Sequence, residues 1–262
     1  MQQQSSAPGA EAPIGLLVRQ QGWQTTALLA VSVAAWAFLA WMALHMDHPF
    51  AELTMPESAR WTASNALAIW LMWAVMMAAM MLPSALPMVL TFGRLSSRSG
   101  QPAHGRSFAA AYLAVWLAFS VAATGAQWAL QAVDWVDQMI ISTSPGLSAA
   151  LLLLAGGYQF SPLKRLCLDG CRSPMGFLIG EWRAGLKGAL VMGVRHGLLC
   201  LGCCWALMAL LFVGGVMNLA WIAALSLAVA IEKLAPGGQR IATALGLALI
   251  AAGAWRLLLL LS

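Results

Sequence analysis

Long apolar runs recur along the whole chain, separated by short polar segments. About 20 apolar residues in a helix cross the hydrocarbon core of a membrane, because each helical residue rises 1.5 Å. The runs lack the alternation over about ten residues that a membrane β-barrel requires. The pattern predicts an all-α, polytopic membrane helical bundle of about seven transmembrane helices. The predicted apolar runs are 25–44, 66–91, 107–131, 145–160, 187–213, 216–231 and 241–261.

The pattern also divides the chain into two parts. Residues 1–22 are rich in Gln, Ser, Ala, Pro and Gly and are expected to form a mobile N-terminal tail. Residues 23–262 are expected to form a single integral membrane helical domain. Two of its runs, 145–160 and 216–231, are near the lower length limit of about 17 residues for a span. No basic segment precedes the first apolar run and no small-residue cleavage site follows it, so it predicts a retained helix.

Composition supports this assignment and excludes other classes of protein. Hydrophobic residues make up 61% of the chain and charged residues 9%, whereas about 25% of a soluble chain is charged. This excludes a soluble enzyme, a nucleic-acid-binding module and a disordered chain. The net charge of +5 reflects basic residues concentrated in alternate loops, which the positive-inside rule places in the cytoplasm. The N-terminus is therefore expected to be cytoplasmic, and the expected partner is the lipid bilayer and not a nucleic acid.

The run 187–213 contains an unusual group of cysteines. At about 100° per residue, His196, Cys200, Cys203 and Cys204 fall within a stripe roughly 100° wide on one helix. Thiolate and imidazole together suit soft or borderline metals such as Cu(I) and Zn. Cysteine also packs as a small buried hydrophobic residue. Three cysteines within five residues, one turn after a histidine, favour a metal or redox site over packing alone.

A second pair of cysteines, Cys167 and Cys171, lies in the basic segment after the fourth run. Their spacing allows both sulfurs to reach one ion or each other. If the fifth helix begins near Lys187 on the cytoplasmic side, Cys200 to Cys204 lie in its cytoplasmic half. The Pro- and Gly-rich segment around Cys171 is then expected to re-enter the membrane and meet them.

Five methionines lie within ten residues of the second run. Met72, Met76 and Met80 form a ladder at i, i+4 spacing, with Met77 and Met81 forming a second ladder beside it. Thioethers are soft, uncharged ligands that suit Cu(I), although methionine also fills cores. The ladders are expected to end at a break in the helix caused by two prolines, which would free backbone carbonyls.

Two further features concern the polar residues near the membrane. His45 and His48, at the expected outer end of the first helix, are candidates for capturing a cupric or cuprous ion, or are part of an ordinary exposed loop. Arg195 lies in a predicted span and requires a partner, for which Glu232 and Glu181 are the candidates. Gly193 and Gly197 predict a face for close helix packing.

Several motifs together resemble a bacterial family of predicted metal-binding integral membrane proteins, formerly catalogued as a domain of unknown function. They cover about residues 70–232. The resemblance implies a bacterial inner-membrane protein connected with copper supply to copper oxidases such as tyrosinase. The motifs are Trp73–Ser84 with its four methionines, Gly157–Pro174 with its two cysteines, Gly202–Met208, Gly215–Asn218 and Glu232-Lys233.

The sequence thus predicts a Cu(I) chaperone or transporter that is not an enzyme, with a copper oxidase as the implied partner. Zinc is the alternative metal. One alternative function is a membrane thiol–disulfide oxidoreductase that uses Cys200/Cys203 or Cys167/Cys171 as a dithiol. The other is a subunit or assembly factor of a membrane complex. The chain contains no nucleotide-binding motif, which excludes ATP-driven pumping by this chain alone.

Overall fold

The computed structural model describes residues 22–101 and 103–261, and these residues form helices joined by turns. Within them the only strand-like pairing is the isolated bridge between Val136 and Ser142. The predicted all-α class is therefore confirmed. The expected N-terminal tail lies outside the described residues, apart from Gly22. The helices are α1 Gly22–Leu44, α2 Pro49–Thr54, α3 Ala63–Arg98, α4 His104–Ala132, α5 Pro145–Tyr158, α6 Pro162–Arg172, α7 Pro174–Glu181, α8 Gly185–Ala209, α9 Leu211–Gly214, α10 Leu219–Leu234 and α11 Gly238–Leu261.

Each of the seven predicted apolar runs contains a helix, but five helical segments of the described chain are long and apolar enough to cross a membrane. They comprise α1, α3, α4, the continuous α8–α9 segment and α11. Helices α5 and α6 meet at an angle of 64°, and counting them as one bent span gives six. Helix α10 has 16 residues and is about 24 Å long, shorter than a hydrocarbon core of about 30 Å. The expected total of seven spans is thus not confirmed.

Three serine–proline pairs explain why the segment from 145 to 181 forms three short helices. In each pair the serine side chain accepts a hydrogen bond from a backbone N–H in the first turn. The following proline occupies the first helical position, where its missing N–H is tolerated and its φ suits a helix start. These signals force new helix starts at Ser144-Pro145, Ser161-Pro162 and Ser173-Pro174.

Helix α3 contradicts the expected break at Pro83 and Pro87, because it continues through both prolines to Arg98. A proline lacks the N–H that would bond to the carbonyl four residues earlier, so Pro83 leaves the Ala79 carbonyl free. The indole N–H of Trp36, on α1, donates to that carbonyl at 3.0 Å. The freed carbonyl therefore joins α1 to α3 and does not end the helix.

Glycines allow two close helix contacts around α8. A Cβ atom on Gly193 would lie 2.4 Å from the Phe108 carbonyl oxygen on α4, and one on Gly197 would lie 2.8 Å from Val115. The predicted small-residue face is thus a real contact. On another side of α8, a Cβ on Gly202 would lie 2.6 Å from the sulfur of Cys167 on α6. The absence of side chains at these glycines lets α4 and α6 approach α8 closely.

Candidate metal centre

Helix α8 buries the three cysteines that the sequence singled out. Cys200, Cys203 and Cys204 are each 1% exposed, and the last two donate from Sγ to the Cys200 carbonyl at 3.1 and 2.9 Å. The continuous segment Gly185–Gly214 has 30 residues, of which Cys200 is the sixteenth. Cys200, Cys203 and Cys204 therefore lie near the middle of this segment.

Helix α6 adds a fourth thiol to this group. The segment around Cys171 is helical and packs against α8, which brings the Cys171 thiol close to those of Cys200 and Cys203. We call Cys171, Cys200, Cys203 and Cys204 the thiol cluster. Cys167 instead packs against Gly202, one helical turn from Cys171. All five cysteines are free thiols.

Met81 is the member of the methionine ladders that reaches the thiol cluster. Its Sδ lies 4.0 Å from the Sγ of Cys204. Two metal–sulfur bonds of about 2.3 Å each span at most about 4.6 Å, so one ion can bridge this pair. The other four ladder methionines are buried along α3, and among the described residues none of their sulfurs makes such a contact with a cysteine. They are Met72, Met76, Met77 and Met80.

A buried ammonium group lies against the same sulfurs. The Nζ of Lys233, on α10, is 2.9 Å from Cys200 Sγ, 3.3 Å from Ser84 Oγ and 4.0 Å from Met81 Sδ. An ammonium has three N–H donors, which matches these three acceptors. The hydroxyl of Tyr112, on α4, lies 3.0 Å from Cys200 Sγ and 3.3 Å from the Met81 carbonyl. Sequence reasoning missed both residues as parts of the site.

The charged residue next to Lys233 is paired elsewhere, so the ammonium of Lys233 contacts sulfur atoms instead of a carboxylate. Glu232 pairs at 2.7 Å with Lys164, and both side chains are almost fully buried. Arg172 donates to the carbonyls of Glu232 and Ala235, which satisfies backbone groups at the end of α10. Within the described part of the chain Lys233 has no carboxylate partner. A thiolate in the cluster would therefore be its counter-charge, because a buried charge is costly unless it is paired.

Arg195 has the second of its two predicted partners. Its guanidinium forms an ion pair with Glu181, and both side chains are partly exposed. This pair lies between α8 and α7. It is therefore separate from the Lys164–Glu232 pair and leaves the charge beside the thiol cluster unchanged.

His196 is buried on α8 but has aromatic neighbours. Its ring stacks with those of Phe108 and Tyr112 at centroid distances of 5.9 and 5.6 Å, and Phe177 meets it edge-on. Among the described residues Nδ1 has no hydrogen-bond partner. The structure thus places His196 beside the ring of Tyr112, which in turn contacts Cys200.

His45 and His48 are exposed, and both contact one tryptophan. The rings of His45 and His48 lie 5.5 and 4.8 Å from that of Trp41. The Nδ1 of His45 is 3.0 Å from the Trp41 carbonyl, and the Nδ1 of His48 accepts from the Phe50 N–H. Both residues lie in the turn between α1 and α2, and not in the elements that form the thiol cluster.

The donor set at the cluster fits a soft, low-coordinate ion. Across residues 22–101 and 103–261, no three His, Cys, Asp or Glu side chains stand in an arrangement that could hold a metal ion. The donors that converge are thiols and one thioether, which select Cu(I) over hard cations. The pair formed by Met81 and Cys204 is already within bridging distance. The chemistry therefore fits Cu(I) as a bound cargo.

Comparison with known proteins found no match among curated proteins and none among solved structures. A family model described as "PpoB2: Copper chaperone" matches residues 70–256, which is more than half of the chain. The matched region includes the thiol cluster, Met81, Tyr112 and Lys233, and it begins after His45 and His48. The chain belongs to the PpoB2 copper chaperone family.

Proposed function

We propose that this protein is a Cu(I) chaperone of the bacterial inner membrane that holds its cargo between the thiol cluster and Met81. The observation that carries the proposal is the convergence of four thiols and one thioether from α3, α6 and α8 in a buried site. Sulfur ligands of both kinds select Cu(I), whereas hard cations prefer oxygen ligands. Glu232, the neighbouring carboxylate, is already engaged by Lys164.

Lys233 supplies the charge that such a site requires. The thiolate and not the thiol is the metal ligand. Two thiolates and one Cu(I) carry a net charge of −1, and an ammonium 2.9 Å from Cys200 neutralises it. In a low-dielectric interior this pairing removes most of the cost of holding a charged complex.

Cargo transfer follows from the different positions of the thiols. Cys171 is partly exposed and lies on the short helix α6, whereas the three cysteines of α8 are fully buried. Exchange of one thiolate for another moves Cu(I) without a free ion and without a change of oxidation state. We propose that Cys171, aided by Cys167, exchanges the ion with a copper-dependent partner such as an oxidase.

The remaining candidate residues form the proposed route on the other side of the cluster. His45 and His48 would collect copper at the external surface, where their side chains are exposed. Met72, Met76, Met77 and Met80 would then carry it along α3, where all four are buried. His196 would stabilise the loaded site through its ring contact with Tyr112.

An anaerobic Cu(I) titration of the detergent-solubilised chain against a competing chelator tests the binding site. Cys171→Ser and Cys203→Ser should each weaken Cu(I) binding by roughly tenfold or more. Each substitution removes a thiol that either binds the ion or contacts a thiol that does. Cys167→Ser should leave the equilibrium affinity nearly unchanged, because Cys167 packs against Gly202 and is proposed to act only in exchange with the partner. Equal affinities for wild type and the two cluster variants would reject the site.

A further inference from the structure

A small cavity near the end of α1 gathers three methionines from separate parts of the chain. Met42 comes from α1, Met72 from α3 and Met217 from the turn before α10. The rest of the lining is aliphatic: Leu39, Ala43, Val216, Leu219 and Ile222. The three methionines are therefore the only residues in this lining whose side chains contain a metal-binding group. Two of the three methionines, Met42 and Met217, lie outside the predicted ladders.

We infer that Met42, Met72 and Met217 form a second Cu(I) site, separate from the thiol cluster. The inference rests on the proposed function and adds a second binding position for the same cargo. Neutral thioethers are soft ligands, and a cavity lined only by thioethers and hydrocarbon provides no ligand for a hard cation. The chemistry therefore selects a soft, monovalent ion.

The burial of the three side chains suits a site that exchanges its ion. Met42 and Met72 are 2% and 1% exposed, whereas Met217 is only partly buried. Met217 follows Gly215, whose φ of +83° produces the turn that brings this segment over the cavity. A partly exposed ligand on a turn gives the ion a way in, and the two buried ligands hold it.

Helix α3 links this site to the thiol cluster. Met72 lines the cavity and Met81 contacts Cys204, so α3 contributes a ligand to each site. Nine residues at 1.5 Å each separate the two methionines by about 13 Å along the helix. Thioether ligands carry no charge, so they should hold Cu(I) less tightly than the thiolates, which favours movement toward the cluster.

The test compares Cu(I) stoichiometry in detergent, with copper supplied anaerobically as Cu(I). The variants are a thiol variant, Cys171→Ser/Cys200→Ser/Cys203→Ser/Cys204→Ser, and a cavity variant, Met42→Leu/Met217→Leu. Leucine nearly conserves methionine volume. The thiol variant should retain about one weakly bound Cu(I), and adding the cavity substitutions should remove it. Met88→Leu/Met175→Leu is the matched control, because neither residue lines the cavity.

The outcomes separate this inference from the proposed function. Wild type that binds Cu(I) beside a thiol variant that binds none keeps the proposed function and overturns the second site. Retention of Cu(I) by the thiol variant after the cavity substitutions also overturns it. If the thiol variant does not fold, the cavity variant alone should lower wild-type stoichiometry from about two ions to about one. Unchanged stoichiometry there rejects the second site, whereas no Cu(I) in wild type rejects both proposals.

Discussion

The ammonium of Lys233 lies 2.9 Å from the sulfur of Cys200, although the two residues are 33 positions apart and belong to different helices. Buried lysines usually pair with carboxylates, but the adjacent Glu232 is engaged by Lys164. The lysine therefore places a positive charge directly on a sulfur cluster. The charge of Lys233 is therefore expected to affect how strongly the cluster binds its proposed cargo, Cu(I).

Replacing Lys233 with leucine should weaken Cu(I) binding by about 10- to 100-fold, a range typical of residues that orient or tune metal ligands. Leucine adds no metal ligand and removes the charge that balances a two-thiolate Cu(I) complex. Chelator competition in detergent measures the change. Lys233→Arg keeps the charge and should retain more affinity. Equal binding by Lys233→Leu and wild type would show that the ammonium does not stabilise the site.

Replacing Glu232 with glutamine should destabilise the fold by about 3–5 kcal/mol, because it leaves the buried Lys164 ammonium without its counter-ion. Thermal unfolding in detergent gives the change. Lys164→Met/Glu232→Gln removes both charges and should recover most of the lost stability. Additive losses in the double variant would mean that the two side chains do not act as a pair.

The bond from Trp36 to Ala79 should depend on the proline that frees the acceptor. Trp36→Phe leaves the buried Ala79 carbonyl without a donor and should cost about 1–3 kcal/mol. In a Pro83→Ala background the new backbone N–H can bond to Ala79, so the same substitution should cost less. A double-mutant cycle on unfolding free energies measures this coupling. A coupling of zero would show that the tryptophan contributes through packing alone.

The contact between α6 and α8 should be sensitive to added volume at Gly202. A Cβ there would lie 2.6 Å from Cys167 Sγ, so Gly202→Ala should destabilise by about 1–3 kcal/mol through overpacking. Gly157→Ala is the control on α5, because a Cβ there meets nothing within 4 Å. Alanine at that helical position should be neutral or stabilising by about 0.5–1 kcal/mol. A Gly202→Ala protein as stable as wild type would contradict the close packing.

Much of the fold follows from local signals in the sequence. Run length and hydropathy identify every long helix, and the serine–proline pairs define the short ones between 145 and 181. The count of spans was harder to predict, because α10 is helical yet shorter than a membrane core. The predicted break at Pro83 and Pro87 is wrong, because the donor that satisfies the Ala79 carbonyl lies on Trp36, 43 residues away in the sequence.

The candidate site, like the fold, could be predicted only in part from the sequence. Helical periodicity predicts that Cys200, Cys203 and Cys204 share one face of their helix. All three are buried in the structure. Lys233 and Tyr112 could not be assigned from spacing, because they are 33 and 88 positions from Cys200. The available signals are that Lys233 follows an apolar run with Glu232 as its adjacent carboxylate, and that Glu232-Lys233 is one of the motifs of the family resemblance. The Cu(I) titrations described above test whether the predicted residues bind metal.

The cysteines of α8 are proposed to hold copper. The most direct measurement is elemental analysis of the anaerobically purified full chain from cells supplied with copper and zinc, after removal of weakly bound ions with a chelator. The wild type should contain about one copper per chain, and Cys200→Ser/Cys203→Ser/Cys204→Ser should contain little. Zinc in place of copper, or equal copper in wild type and variant, would contradict the account.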